Sequence, residues 1–217
     1  MPGPMTVPRP VWRSFTRRFL DRAAAHVRSG GHALVIDSLA TLRNAFALLP
    51  CDDGDMPELS YWSVLALGSR QFTVVSRGPA RGLARVKFAR ELAPTARSWC
   101  ERDSAWPDSV HVFEYDCEAC AACCRHNDVL LTRDDLMRWH EAGRPNLAAA
   151  RFVRIANRRA ALRHRRNGDC VHLVDNLCGI YELRPDNCSA FPAGSESCLG
   201  ARMVDYGWID GLPRDAE

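Results

Sequence analysis

The chain begins with four prolines in its first ten residues (Pro2, Pro4, Pro8, Pro10), the composition of a loose lead-in. Apolar residues then recur every four positions, at Val11, Phe15, Phe19, Ala23 and Val27, with Trp12 and Leu20 beside them and Arg13, Arg17, Arg18, Asp21 and Arg28 on the other faces. That period predicts an amphipathic helix stopped by Gly30 and Gly31. A basic amphipathic helix can lie on a membrane or act as an import signal, but docking on its own domain is the expected use here. Residues 32 to 49 predict a second, more apolar helix through Leu34, Ile36, Leu39, Leu42, Phe46 and Leu49, ended by Pro50. The segment Cys51 to Glu58 is acidic and turn-rich. Residues 61 to 66 and 71 to 76 have the aromatic and β-branched content of short strands, separated by Gly68 and Ser69. Together these elements predict a mixed α/β region over residues 1–108.

The second half differs in kind, because it holds eight of the ten cysteines. The first block, Cys117-Glu-Ala-Cys120-Ala-Ala-Cys123-Cys124-Arg125, is a C-x2-C-x2-C-C run. Two-residue gaps let successive thiolates turn toward one centre while backbone amides of the tight loop hydrogen-bond sulfur, so the spacing suits zinc and iron-sulfur sites. Neighbouring side chains usually diverge, so Cys123 and Cys124 are not expected on one mononuclear ion. A polynuclear cluster, two metals or one spectator thiol would each resolve that. Cys170, Cys178, Cys188 and Cys198 follow at wider gaps that fit ligands on successive loops, with Asn167-Gly168-Asp169 as a turn before the first of them. Eight thiolates could serve two four-cysteine zinc sites, or one iron-sulfur cluster with four cysteines left over. Cys51 and Cys100 stand alone and read as small buried hydrophobes.

Thr132 and Asp135 have the form of a capping box opening a short helix that Gly143 closes. From Arg151 to Arg166 there are seven arginines and no acidic residue. Such a strip can hold phosphates or an acidic protein segment, and it is also the pattern of a solvated helix face followed by a strand. His126 and His172 lie beside cysteines and are candidates for substitute ligands, although a supporting role is the commoner one. Arg184 is placed to donate to a thiolate, or to lock Asp175 or Glu182.

Composition narrows the class. In 217 residues, 47% are hydrophobic and 25% charged, which excludes a disordered or fibrous chain. The net charge of +3 is too small to demand a polyanion, so nucleic acid ranks last among partners. No apolar run is long enough for a membrane span and no secretory signal is visible, so the expected location is cytoplasmic. In that compartment clustered cysteines serve metals rather than disulfides.

The ordered motifs Cys117 to Arg125, Leu131-Thr132-Arg133-Asp134-Asp135, Cys170, Cys178-Gly-Ile-Tyr181-Glu182-Leu-Arg184-Pro185 with Cys188, and Phe191-Pro192 resemble the YkgJ-type cysteine-cluster family. The resemblance covers roughly residues 112 to 200. It implies that Cys117, Cys120, Cys123, Cys124, Cys170, Cys178, Cys188 and Cys198 bind metal, as an iron-sulfur cluster or zinc. It also implies a distant kinship with flagellin lysine N-methylases. Ala121 stands where the family often has glycine, and Ser189 follows Cys188 where arginine is common. The expected fold is α+β: an N-terminal α/β region, a small loop-rich, metal-stapled cysteine-cluster domain at 109–201, and a tail at 202–217. The expected function is a metal-binding protein in a redox or accessory role. A protein- or peptide-modifying enzyme and a zinc-stapled nucleic-acid-binding module are the alternatives.

Overall fold

A computed structural model describes residues 5–37, 42, 44–125, 127–156 and 158–207. The chain is α+β. Its first half is organised by a five-stranded sheet of order β2-β3-β4-β6-β5, built from Trp12–Thr16 (β2), His32–Ile36 (β3), Phe46–Leu49 (β4), Thr73–Val74 (β5) and Ala84–Lys87 (β6). β2 and β3 run parallel, joined through helix α1 (Leu20–Arg28), and the remaining neighbours are antiparallel. Helices α2 (Glu58–Ala66) and α3 (Ala93–Arg102) complete this half.

The sheet is covered on both faces. Leu34, Ile36, Ala47, Leu49, Ala84 and Val86 pack with Val64 and Leu67 of the α2 segment and with Ala96, Trp99 and Cys100 of α3. The alternate positions Ala33, Val35, Phe46 and Leu48 pack with Ala23, Ala24 and Val27 of α1. This double burial explains where the expected elements differ. Every residue of 32–36 and 46–49 is buried, and a strand apolar on both faces has no period by which to tell it from a buried helix. The expected helix over 32–49 is therefore two strands, with residues 38–41 and 43 outside the described part. The expected helix from Val11 is split into β2 and α1, because Val11 and Trp12 enter the sheet side while only Ala23, Ala24 and Val27 form a helical stripe. Residues 61 to 66 are helical rather than extended: Ser60, Ser63, Val64 and Leu67 fall on one buried face at i, i+3, i+4 and i+7. The lead-in is also ordered from Met5, as strand β1 (Met5–Pro10).

β1 pairs antiparallel with β7 (Val110–Tyr115), from Met5↔Tyr115 to Pro10↔Val110. That ladder carries the chain directly into the cysteine block. The second half consists of short pieces: α4 (Cys117–Cys120), α5 (Arg133–Glu141), the hairpin of β8 (Val153–Ala156) and β9 (Arg159–Leu162), the hairpin of β10 (Leu173–Val174) and β11 (Leu177–Cys178), α6 (Asp186–Ser189) and α7 (Glu196–Tyr206). The arginine strip is thus a two-stranded hairpin, not a helix. The predicted capping box is present at α5: the Asp135 N–H donates to Thr132 Oγ1 (3.1 Å) and the Thr132 N–H to Asp135 Oδ2 (2.8 Å). α7 runs through position 201, where the domain was expected to end.

A buried ionic network joins the halves. Arg9 donates to both oxygens of Asp103 (3.1 and 3.0 Å) and to Glu196 Oε1 (2.7 Å). Arg102 reaches Glu196 at 2.8 Å and Asp103 at 2.7 Å, and the Trp12 N–H donates to Asp103 at 2.8 Å. Burial alone would push the Glu196 carboxyl up, but the guanidinium groups of Arg9 and Arg102 hold it at about 2.

Candidate metal centre

The cysteine block is a turn on a turn. α4 closes with the Cys120 N–H donating to the Asp116 carbonyl (3.0 Å) and the Ala121 N–H to Cys117 (2.9 Å), and a single 3-10 turn over Ala122–Cys124 follows. Between them Ala121 sits at φ 49°, in the left-handed region that disfavours a Cβ. This is the position at which the resembled family often has glycine, and the backbone supplies the reason.

Arg125 fastens the block to three other segments. Its Nε donates to Asp169 Oδ1 (2.9 Å), Nη1 to the Cys120 carbonyl (3.4 Å) and to the Tyr206 hydroxyl, and Nη2 to Asn176 Oδ1 (2.8 Å). The Tyr206 hydroxyl also donates to the Cys120 carbonyl. The Cys170 N–H donates to the Cys124 carbonyl at 2.9 Å. β10 and β11 set Cys178 opposite Leu173, and the Gly179 N–H returns to the His172 carbonyl at 2.8 Å. The capping carboxylate of Asp135 also accepts the Asp186 N–H (2.9 Å), and Trp139 Nε1 donates to the Leu183 carbonyl (2.6 Å). Helix α5 thereby positions α6, which carries Cys188. Ser195 caps α7 at the Cys198 N–H (3.2 Å).

All eight expected ligands are free thiols, as are Cys51 and Cys100. Their surroundings pull on the sulfurs in opposite directions, and burial outweighs the donors at most of them. Backbone N–H groups of His172, Ile180 and Gly194 hydrogen-bond the sulfurs of Cys170, Cys178 and Cys198. Burial pushes all three thiols up, Cys198 to about 11, and Cys188 is pushed by burial to about 12. Cys124 goes the other way. A hydrogen bond from Cys123 lowers it, helped by the charges of Arg125 and Arg184, while Cys123, as the donor, is raised.

The donor set is all soft thiol, which fits zinc or an iron-sulfur cluster and not magnesium or calcium. Among the described residues, no three His, Cys, Asp or Glu side chains form a group that could hold a metal ion.

Residues 116–206 match the model of the CxxCxxCC family. Its description is "Putative zinc- or iron-chelating domain", the pair of metals that the thiol spacing suggests. The matched region contains all eight cysteines and ends at Tyr206, whose hydroxyl reaches Arg125. No curated protein and no solved structure matches the chain.

The other candidates fall into place around this region. His172 is buried against the Phe152 ring (4.9 Å between centroids), with Nε2 lacking a hydrogen-bond partner, and burial lowers its pKa. His126 lies outside the described residues. Arg184 lies 4.2 Å from the Tyr181 ring centroid and donates to Ser189 Oγ (3.1 Å); its charge acts on Cys124, Cys178 and Cys188. Cys100 is core and Cys51 packs against it, as expected. Sequence reasoning missed the roles of Arg125, Tyr206 and Arg202. Arg125 carried the available signal, a basic residue directly after four cysteines. Part of the arginine strip is used internally: Arg154 pairs with Asp128 (2.5 Å), and Arg163 and Arg165 donate to backbone carbonyls. Arg158, Arg159 and Arg166 are exposed. No described helix is long and apolar enough to cross a membrane.

Proposed function

We propose that this protein chelates iron, as an iron-sulfur cluster, or zinc through Cys117, Cys120, Cys123, Cys124, Cys170, Cys178, Cys188 and Cys198, and serves a redox or accessory role in the cytoplasm. The single observation that supports the reading is the match of residues 116–206, which hold eight free thiols, to a family described as a putative zinc- or iron-chelating domain. The YkgJ-type relationship belongs to the same reading. When bound, zinc would lock these loops and an iron-sulfur cluster would add one-electron chemistry. The chain's own contribution is to offset part of what burial costs an ionised sulfur. Amides of His172, Ile180 and Gly194 donate to it, and Arg125, Arg184 and Arg202 lower the cost of gathering negative charge. The exposed Arg158, Arg159 and Arg166 would receive an acidic protein or peptide partner.

Anaerobic purification with elemental analysis and a visible spectrum tests the reading. Iron with labile sulfide and brown colour supports the redox form, and colourless stoichiometric zinc supports the accessory form. Cys120→Ala and Cys178→Ala should lower metal content, and Cys51→Ala should not. Equal loss from Cys51→Ala would overturn the ligand assignment. Binding of S-adenosylmethionine would move the reading to a modifying enzyme akin to the flagellin lysine N-methylases.

A further inference from the structure

The β8–β9 hairpin has one covered edge and one open one. β9 bonds the neighbouring chain: the Leu131 N–H donates to the Ala160 carbonyl and the Leu162 N–H to the Val129 carbonyl, each at 2.9 Å. Ala160 lies opposite Ile155 and Leu162 opposite Val153, so these are the pairs that exchange no backbone bonds within the hairpin. The backbone groups of Val153 and Ile155 therefore point away from β9. Those of Val153 are used: its N–H donates to the Ala149 carbonyl (3.0 Å), and its carbonyl accepts from Arg163 Nε (3.2 Å). Among the described residues, none bonds the N–H or the carbonyl of Ile155. Its side chain is uncovered as well, at 75% exposed. Val153, Ala160 and Leu162 turn the same face of the hairpin to the core of Leu131, Trp139 and Ile180, and Ile155 stands where that core stops. Around this edge the charge has one sign. Residues 151–166 hold seven arginines and no carboxylate, and Arg158, Arg159 and Arg166 are exposed.

We propose that the open edge of β8 takes up an extended acidic segment of a partner protein as an added strand, centred on Ile155, with carboxylates of that segment on Arg158, Arg159 and Arg166. This deepens the reading of an acidic partner and rests on it. Strand addition supplies what the edge lacks: an acceptor for the Ile155 N–H, a donor for its carbonyl and apolar cover for its side chain. A second copy of the chain does not fit, because pairing two such edges would set arginines against arginines. An edge merely guarded against association would expose charge at its centre. Here the Arg154 charge is taken by Asp128 (2.5 Å), and the exposed centre is Ile155. A phosphate backbone would meet the arginines but leave the Ile155 carbonyl without a donor and its side chain without cover.

The test titrates the full-length protein with a synthetic peptide of alternating glutamate and valine, about six residues long and blocked at both ends, and follows binding by calorimetry and by amide exchange. Binding should slow exchange of the Ile155 amide about tenfold or more and weaken as salt rises. Ile155→Pro removes an N–H that the hairpin does not use, so it should abolish binding with circular dichroism unchanged. The same peptide N-methylated at every residue should not bind, which tests the added strand even where the proline variant fails to fold. Arg158→Glu with Arg159→Glu should weaken binding about tenfold or more. Binding that survives both N-methylation and Ile155→Pro overturns strand addition and leaves an acidic partner standing. No binding of the peptide overturns both, while metal chelation is read separately from the metal content of the same preparation. Tighter binding of a single-stranded oligonucleotide of equal charge overturns the proposal in favour of nucleic acid.

Discussion

The two halves of the molecule are held by different means. The first buries a sheet on both faces, with residues such as Trp12, Leu34, Leu48 and Leu49 fully enclosed. The second has a small apolar cluster of Leu131, Trp139, Leu147, Leu162 and Ile180, strands of two to four residues, and loops that carry cysteines. Short strands and a small core bury too little surface to offset chain entropy, and such regions usually need a metal or disulfides. Here the cysteines are free, so the second half has neither a large core nor disulfides to hold it, where the first rests on burial. The ionic network of Arg9, Arg102, Asp103 and Glu196 is where the two regimes meet.

The largest expected effect is that of metal removal. Chelation should strip amide-exchange protection from residues 116–206 and leave the sheet of 12–87 protected, because structural zinc contributes on the order of 10 kcal/mol to folding in small domains. Uniform protection after chelation would show that both halves rest on burial. Next comes Glu196→Ala, which leaves Arg9 and Arg102 buried without their shared acceptor. A cost of about 3–5 kcal/mol is expected, read as a lower denaturation midpoint reported by probes in both halves. An effect confined to one half would mean that the network does not couple them.

His32 separates the halves by pH. It is buried in β3, its Nε2 within 2.8 Å of Ser60 Oγ, and burial lowers its pKa from 6.5 to about 3. The unfolded chain takes up that proton near pH 6.5 and the folded chain does not. The stability is therefore full above that pH and is lost as pH falls toward 3. Between pH 7 and 5 the loss from this group should be about 2 kcal/mol. Denaturant midpoints of the sheet should show this slope, and His32→Gln should flatten it. The Glu196 carboxyl contributes separately, above about pH 4.5 and falling away toward 2. The smallest effect is a gain: Ala121→Gly relieves the left-handed position and should raise the stability of the cysteine region by about 1 kcal/mol, seen in its thermal midpoint. No change, or a loss, would argue that the Ala121 methyl, itself buried, packs well enough to offset the backbone cost.

Local chemistry was readable along the chain. The Thr132–Asp135 capping box and the Asn167-Gly168 turn each depend on residues a few positions apart, and each has the form expected from those residues. The small core roles of Cys51 and Cys100 were readable too. The strands of the first half were not. His32–Ile36 is apolar on both faces because helices cover both, and that is a fact about distant segments, absent from the local period.

The same division of scale runs through the candidate centre. Residue type and spacing are properties of the chain, and they were enough to single out eight thiols and the class of metal that soft sulfur prefers. Which thiol faces which depends on pairings between segments tens of residues apart: Cys170 on Cys124, α7 on the 122–124 turn, Arg125 on Asp169, Asn176 and Tyr206. The clamp of Glu196 between Arg9 and Arg102 follows from long-range contacts of the same kind. A linear pattern encodes how a segment bends and what it can ligate. Its neighbours are chosen by burial and charge pairing summed over the whole fold.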